Sequence, residues 1–296
     1  MSILTSSTDS SGNDGFFGNS VAGFPALTVF VVSCPFRHSP LVSNSCRVPV
    51  HIPVSDHLNS IPSRPKLYFM NSWTQNPEVF IEQCIAALGG HDALRGVTSI
   101  KIHACRHTHS AENPEPLISN LFTYRAVGGR IRLEEHFSDH ISVVVINGLA
   151  GECATFASQS DLEANRRQTT DPLHTCDVEP VKRSVRLYPR NFLAHANEHQ
   201  YLPPETTVID GRAVVWVDLP VEEVRFVFDS ETLLCCAVED FRTTITTRYE
   251  AYQLANGVMT PFLEQRFRQG ALIQEDQIQL LEYNLPLDAR LFDIAQ

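Results

Sequence analysis

Five groups of residues in this chain carry the side chain types from which catalysis or ligand binding is built. The first is the run from Lys101 to His109, in which His103, Cys105, His107 and His109 alternate with other residues. On a strand, alternation puts these four on one face, with successive members about 6–7 Å apart. Neighbours at that spacing cannot share a zinc ion without a carboxylate or histidine from an adjacent strand. The row is therefore expected to line a polar edge or a cavity, and His107 is the candidate general base if its face turns inward.

The second group is Arg130-Ile131-Arg132-Leu133-Glu134-Glu135-His136-Phe137. Arg130, Arg132, Glu134 and His136 face one way, and Ile131, Leu133 and Phe137 face the other with Glu135. A charged face on a central strand is either solvated or functional. In the functional case Glu134 or His136 removes an acidic proton and Arg132 stabilises the enolate oxygen that forms.

The third group is the stretch from Lys182 to Arg190, where Arg183, Arg186 and Arg190 line up at helical spacing. Such a stripe is a wet helix face, or it meets the carboxylate or thioester end of a ligand. Arg248, which alternates with Glu250 on a late strand, and Tyr283 complete the expected ligand contacts alongside Arg183 and Arg186. Arg248 and Glu250 are each expected to pair with an opposite charge on a neighbouring strand. The last group, His195-Ala196-Asn197-Glu198-His199, matches the inverted zinc-protease motif. That motif needs a further acidic ligand in a helical setting, and Pro203-Pro204 end the helix soon after it. It is taken as a chance match, and neither a metal nor a cofactor is expected. No Ser-His-Asp elbow, phosphate loop or dinucleotide fingerprint occurs.

Composition narrows the classes. The 296 residues are 43% hydrophobic, enough for one sizeable core. With 23 basic against 34 acidic residues the formal charge is −11, and the clustered Lys and Arg that neutralise phosphates are missing, so nucleic acid is not an expected partner. Eight irregularly spaced cysteines without a Cys-x-x-Cys pair do not make a disulfide framework, which favours reduced thiols and a cytoplasmic setting.

Residues 1–69 are expected to be an extension of low structural value. Met1 to Ser20 is mostly small and polar, and Pro35 to Pro65 has repeated prolines without a sustained period. The apolar stretch from Val21 to Cys34 lacks a preceding Lys or Arg and is interrupted by Pro25, so neither a secretory signal nor a membrane span is expected.

Residues 70–296 form the expected single domain. Asn76-Pro77-Glu78 opens a helix that Gly89-Gly90 stop. From Thr98 the period changes to two. Five strands are predicted up to Ala157, then helices over Asp161–Gln168 and Val178–His199, then seven strands from Thr206 to Tyr283. Strands in unbroken succession, with helices only at the start and middle, predict an α+β fold that is mainly β. Its antiparallel sheet is expected to curve strongly into a half-barrel, with helices over the concave face and a ligand cavity between them. An open sheet also leaves edges that a homodimer could cover.

The segment Ala86-Ala87-Leu88-Gly89-Gly90-His91-Asp92-Ala93-Leu94, followed by a strand, resembles the start of LolA-like lipoprotein-sorting and lipid-carrier domains. Phe228-Asp229-Ser230-Glu231-Thr232-Leu233, Tyr249, Tyr252, Asn256-Gly257-Val258, Pro261 and the close from Asn284 to Phe292 are similar too. The resemblance covers roughly residues 76–296. Leu233 departs from it, standing where the family usually has a turn glycine, and so does the missing signal peptide. The chain also resembles fold-related proteins of fungal polyketide clusters associated with pyrone-ring closure.

Two functions follow. One is a cofactor-independent cyclase of secondary metabolism, which folds a hydrophobic polyketide substrate and closes a ring with one base and one cation. The other is a carrier of lipid or lipoprotein, as the LolA resemblance implies. The polar strand faces and the missing signal peptide favour the first.

Overall fold

The computed structural model describes residues 76–293. Expectations that fall on residues 1–75 lie outside the described residues. Fifteen strands and five helices follow one another in this part of the chain. In order they are α1 (Pro77–Leu88), α2 (His91–Arg95), β1 (Ser99–Ser110), β2 (Asn113–Ala126), β3 (Arg130–His136), β4 (Ile141–Asn147), β5 (Ala150–Phe156), α3 (Gln159–Glu163), β6 (Thr169–Leu173), α4 (Thr175–Arg186) and α5 (Pro189–Ala194). There follow β7 (Glu205–Ile209), β8 (Arg212–Leu219), β9 (Val224–Asp229), β10 (Cys235–Asp240), β11 (Ile245–Glu250), β12 (Gln253–Ala255), β13 (Val258–Thr260), β14 (Leu263–Arg268) and β15 (Ala271–Tyr283). Short 3-10 turns cover Ala196–Glu198 and Ala289–Phe292.

Thirteen strands make one antiparallel sheet, in the order β6-β5-β4-β3-β2-β1-β15-β14-β11-β10-β9-β8-β7, and β12 pairs with β13 alone. The fold is thus mainly β with few helices, as the change of period to two predicts. The last long strand inserts beside the first, so β1 and β15 join two runs of hairpins at the centre. A bulge in β15 pairs Ala104 with Ile278 and His103 with Leu280, skipping one residue. The skip brings both Ile278 and Leu281 to the face that Ala104 and Ile102 occupy. The edges are β6 and β7; β6 carries Pro172, whereas β7 exposes Val208 and Ile209.

Registers assign every side chain to one of two faces. Helices α1 and α5 pack Phe80, Ile81, Cys84, Ile85, Leu88, Phe192 and Leu193 with Val215, Val217, Phe226 and Phe228 of β8 and β9. Helix α4 places Val178, Val181 and Val185 on Ile131, Val144, Ile146 and Cys153 of β3 to β5. These sheet residues all share one face, the helix face.

The predicted helix over Val178–His199 is two helices. Proline at 189 has no N–H and its ring excludes the helical conformation from the preceding residue, and Tyr188 is extended at φ −63° and ψ 133°. Arg190 therefore begins a different helix from Arg183 and Arg186, and the three do not form one stripe. The predicted helix over Asp161–Gln168 is the short α3, followed by the unpredicted edge strand β6.

Turn chemistry holds the hairpins in register. The Asp229 carboxylate accepts hydrogen bonds from the N–H of Glu231 (3.0 Å), the N–H of Thr232 (2.7 Å) and the Thr232 hydroxyl (2.9 Å). Leu233 follows at φ 59°, the left-handed conformation that glycine ordinarily fills, and its side chain packs on the core in compensation. Asp229→Ala should lower stability by about 1–2 kcal/mol, read as a shifted midpoint in urea unfolding with an unchanged slope.

Candidate functional site

Between the helices and the sheet lies a chamber of about 550 Å³, partly open to solvent at the exposed Val127 and Gly128-Gly129, where α2 turns into β1 and β2 turns into β3. Leu94, Val97, Ile100, Val127, Val185 and Ala194 are among the apolar residues that line it. Set among them are Arg95, Arg125, Arg186 and Arg190, with His195, Glu198 and His199 from the turn after α5. The lining is apolar with a high density of cations.

Each cation reaches the chamber for a local reason. Arg125 follows Leu121 and Thr123 on the helix face of β2, both of them buried, so alternation carries a guanidinium to the end of an otherwise buried row. Arg190 enters because Pro189 restarts the helix and turns its first residues inward; Arg190 is only 8% exposed. The Nε of Arg125 and the Nε of Arg190 are both sealed from solvent without a hydrogen-bond partner. Among the described residues neither guanidinium has a carboxylate within ion-pair distance of 4 Å. Burial lowers the pKa of both below the ordinary arginine value. Arg125 stands over the Tyr188 ring at 5.8 Å and Arg190 over the Tyr283 ring at 5.8 Å, so aromatic faces take the place of counterions.

Behind these arginines is a buried cluster of tyrosines with one carboxyl group. Tyr188 meets Tyr249 edge to face at 5.7 Å, and the Tyr283 hydroxyl is 2.9 Å from that of Thr260. Burial raises the pKa of Glu264 above the usual carboxylate range, and the nearby Asp276 adds to the effect. The Tyr188 hydroxyl lies beside Glu264 and favours its charged form without completing a well-aligned hydrogen bond.

The residues expected from sequence are distributed over both faces. Arg132, Glu134 and His136 lie on the face opposite the helices, as does His107, and none of the four lines the chamber. They partner one another and their neighbours. Arg132 is 2.5 Å from Glu134 and donates to the Leu291 carbonyl at 3.2 Å, and His136 is 3.4 Å from Glu134. His103 stacks on Phe122 at 4.4 Å between ring centres, and His136 packs on the same ring at 4.8 Å in a tilted arrangement. His107 sits 3.6 Å from the Cys105 thiol and 3.8 Å from Glu275. The face that was expected to hold a base opposite a cation does so, but away from the chamber.

Among the expected ligand contacts, Arg186 lines the chamber and is paired with Glu179 at 2.7 Å. Arg183 binds the Asp240 carboxylate through two hydrogen bonds (3.1 and 3.2 Å) and the Glu222 carbonyl, which fastens α4 to the sheet. Tyr283 is buried on the helix face beneath Arg190. Arg248 is exposed on the opposite face. Its cross-strand neighbours Ala237 and Gln265 are uncharged, and it covers the Phe267 ring at 4.8 Å in place of the expected ion pair. His195 and His199 are not on one helix, because α5 ends at Ala194. His195 contacts the Asn191 carbonyl at 3.0 Å and His199 the Glu222 carboxylate at 2.8 Å. Among the described residues no three metal-ligating side chains converge, and no helix is long and apolar enough to cross a membrane. The sequence reading missed Arg125 and Arg95; the signal for Arg125 was a charge continuing the Leu121-Thr123 face.

No protein-family model matches the sequence, and no curated protein matches it. Solved structures do. A DUF1329 family protein from Desulfovibrio piger aligns with a TM-score of 0.48 at 11% identity, over 73% of this chain and 96% of its own. A LolA superfamily protein from Nitrosomonas europaea aligns at 0.46 and 10%, over 72% and 97%. A domain from Vibrio parahaemolyticus described by the role of outer membrane lipoprotein sorting aligns at 0.44 and 10%, over 73% and 95%. A LolA superfamily protein, the resemblance expected from the sequence, is among the structures that align, and at these values the alignments carry nothing further about this chain.

Proposed function

We propose that the described domain binds a hydrophobic small molecule in the chamber between α4, α5 and the sheet. The observation that carries this reading is the chamber itself: about 550 Å³, within the usual size of small-molecule sites, with apolar walls and a few convergent polar groups. A carrier needs no more than such a space and a way to keep water from its cargo. A neutral solvatochromic dye such as Nile red should bind with a blue-shifted emission. Val97→Trp, which places an indole in the space, should weaken binding at least about tenfold, the loss expected when an apolar ligand no longer fits. Unchanged affinity in a folded Val97→Trp protein would refute binding at this place.

A second reading, ring closure on a polyketide chain, is favoured by one feature. The chamber holds Glu198, His195 and His199 in the same space as Arg125 and Arg190, so a base and a cation are both present. Mass spectrometry of small molecules co-purified from the native source separates the two: intact lipid supports the carrier, and a polyketide or pyrone supports the cyclase.

A further inference from the structure

We infer that the ligand of this chamber is an acidic amphiphile, an apolar body ending in an oxyanion, and that Arg125 and Arg190 together hold that end. The inference rests on the chamber being a ligand site. A guanidinium taken out of water with no carboxylate in ion-pair range is an expensive arrangement, and the Asn191 side-chain oxygen to which Arg190 donates carries no charge to offset it. Here there are two, Arg190 buried and Arg125 half-buried, on separate elements, and both line one cavity. Arg106 and Arg183, arginines packed away from the cavity lining, each grip an aspartate through two hydrogen bonds instead.

The surroundings fit an oxyanion. Arg125 and Arg190 line the space, Arg95 and the Glu179-paired Arg186 add positive charge at the lining, and Glu198 is the lone carboxylate among the residues that line it. Tyr188 and Tyr283 hold the guanidinium planes by their ring faces, which orients them without competing for the donors. The rest of the wall, from Leu94 to Ile100 and at Val127 and Val185, receives an apolar body. A carboxylate and a phosphate ester share this chemistry.

The test is equilibrium binding of three probes with one chain length: decanoate, decyl phosphate and decanol. Either acid should bind roughly ten- to a hundredfold more tightly than decanol, the range of one charge-assisted hydrogen bond gained. The tighter of the two identifies the head group. In Arg125→Gln and in Arg190→Gln the preference for the acid over decanol should fall toward one. In Arg190→Lys, which keeps the charge and loses the fork, part of it should remain. Thermal melting of each variant establishes that it is folded before binding is read. Equal affinity for decanol and both acids would overturn the inference and leave the chamber as a ligand site. Failure of all three probes, with Nile red also excluded, would overturn the ligand site itself.

Discussion

Gly89→Ala is expected to destabilise the domain by about 3 kcal/mol, the largest effect of any single methyl group in this fold. Gly89 ends α1 at φ 129°, where an alanine would be strained by about 1–2 kcal/mol. The added Cβ would also stand 2.1 Å from the carbonyl oxygen of Gly257, in the turn between β12 and β13. That neighbour is backbone and cannot rotate away. The hairpin would have to lift from α1, a displacement of the kind that costs a further ~1–3 kcal/mol when a packed interior is overfilled. Val258, which is fully buried in the main core beside the helix, would move with it. Thermal unfolding should show a midpoint lowered by roughly 6–12 °C for a domain of this size. As a control, Gly90→Ala changes the next residue, whose Cβ would meet nothing within 4 Å, so it should carry the backbone strain alone. Equal losses for the two variants would show that the contact with Gly257 contributes nothing.

Gly89-Gly90 and Asn256-Gly257 read in the sequence as separate pieces of punctuation, and the fold presses one against the other. Local chemistry was legible because it is local: Asn76 and Pro77 start α1, the glycines stop it, and alternation marks each long strand. Less legible was which face of the sheet the helices cover. Strand β4 is buried on both sides, with Val144 and Ile146 under α4 and Ile141, Val143 and Val145 in a second cluster with Phe156 and Leu162. With both sides apolar, the pattern along β4 cannot say which one holds the ligand. The charged row of Arg132, Glu134 and His136, readable as solvated or as lining the cavity, lies on the face away from the chamber, where the turn from Ala289 to Phe292 meets β3 and β4. Two smaller features escaped for want of a periodic signal: β6 has only five residues, one of them proline, and the inward turn of Arg190 depends on Pro189. Residue type alone suggested an arginine site on this half of the chain; its composition from β2 and α5 required the three-dimensional pairing.

Asp276→Ala is expected to cost about 3 kcal/mol, because it takes the two-bond partner of Arg106 from the sheet's helix face and leaves the guanidinium only Glu135, at 3.4 Å. Arg106 and Asp276 are paired residues of β1 and β15, exposed by 7% and 6%, and joined by two hydrogen bonds of 2.8 and 2.9 Å. Gln274 donates to the same carboxylate at 2.8 Å, while Glu135 holds the far side of the guanidinium at 3.4 Å and takes the Ser119 hydroxyl at 2.6 Å. Every member of this network has a partner, so removing one leaves the others unsatisfied in a site of low polarity. Replacing both charges, as in Arg106→Met with Asp276→Leu, should restore part of the loss, since the guanidinium goes with its carboxylate and Glu135 keeps the Ser119 hydroxyl. If the double variant is less stable than Asp276→Ala alone, the network has a role other than mutual neutralisation. The same pair sets an acid limit on the fold. Burial alone would raise the pKa of Asp276, but the charge and hydrogen bonds of Arg106 outweigh it and hold the carboxyl below its usual value. A carboxyl depressed in the folded state contributes stability that is fully present above its unfolded pKa, about 4, and fades as pH falls through the folded value. Urea midpoints should therefore decline below about pH 4 in the native chain. In the Arg106→Met, Asp276→Leu protein that decline should be shallower, and an identical decline would place the acid sensitivity elsewhere.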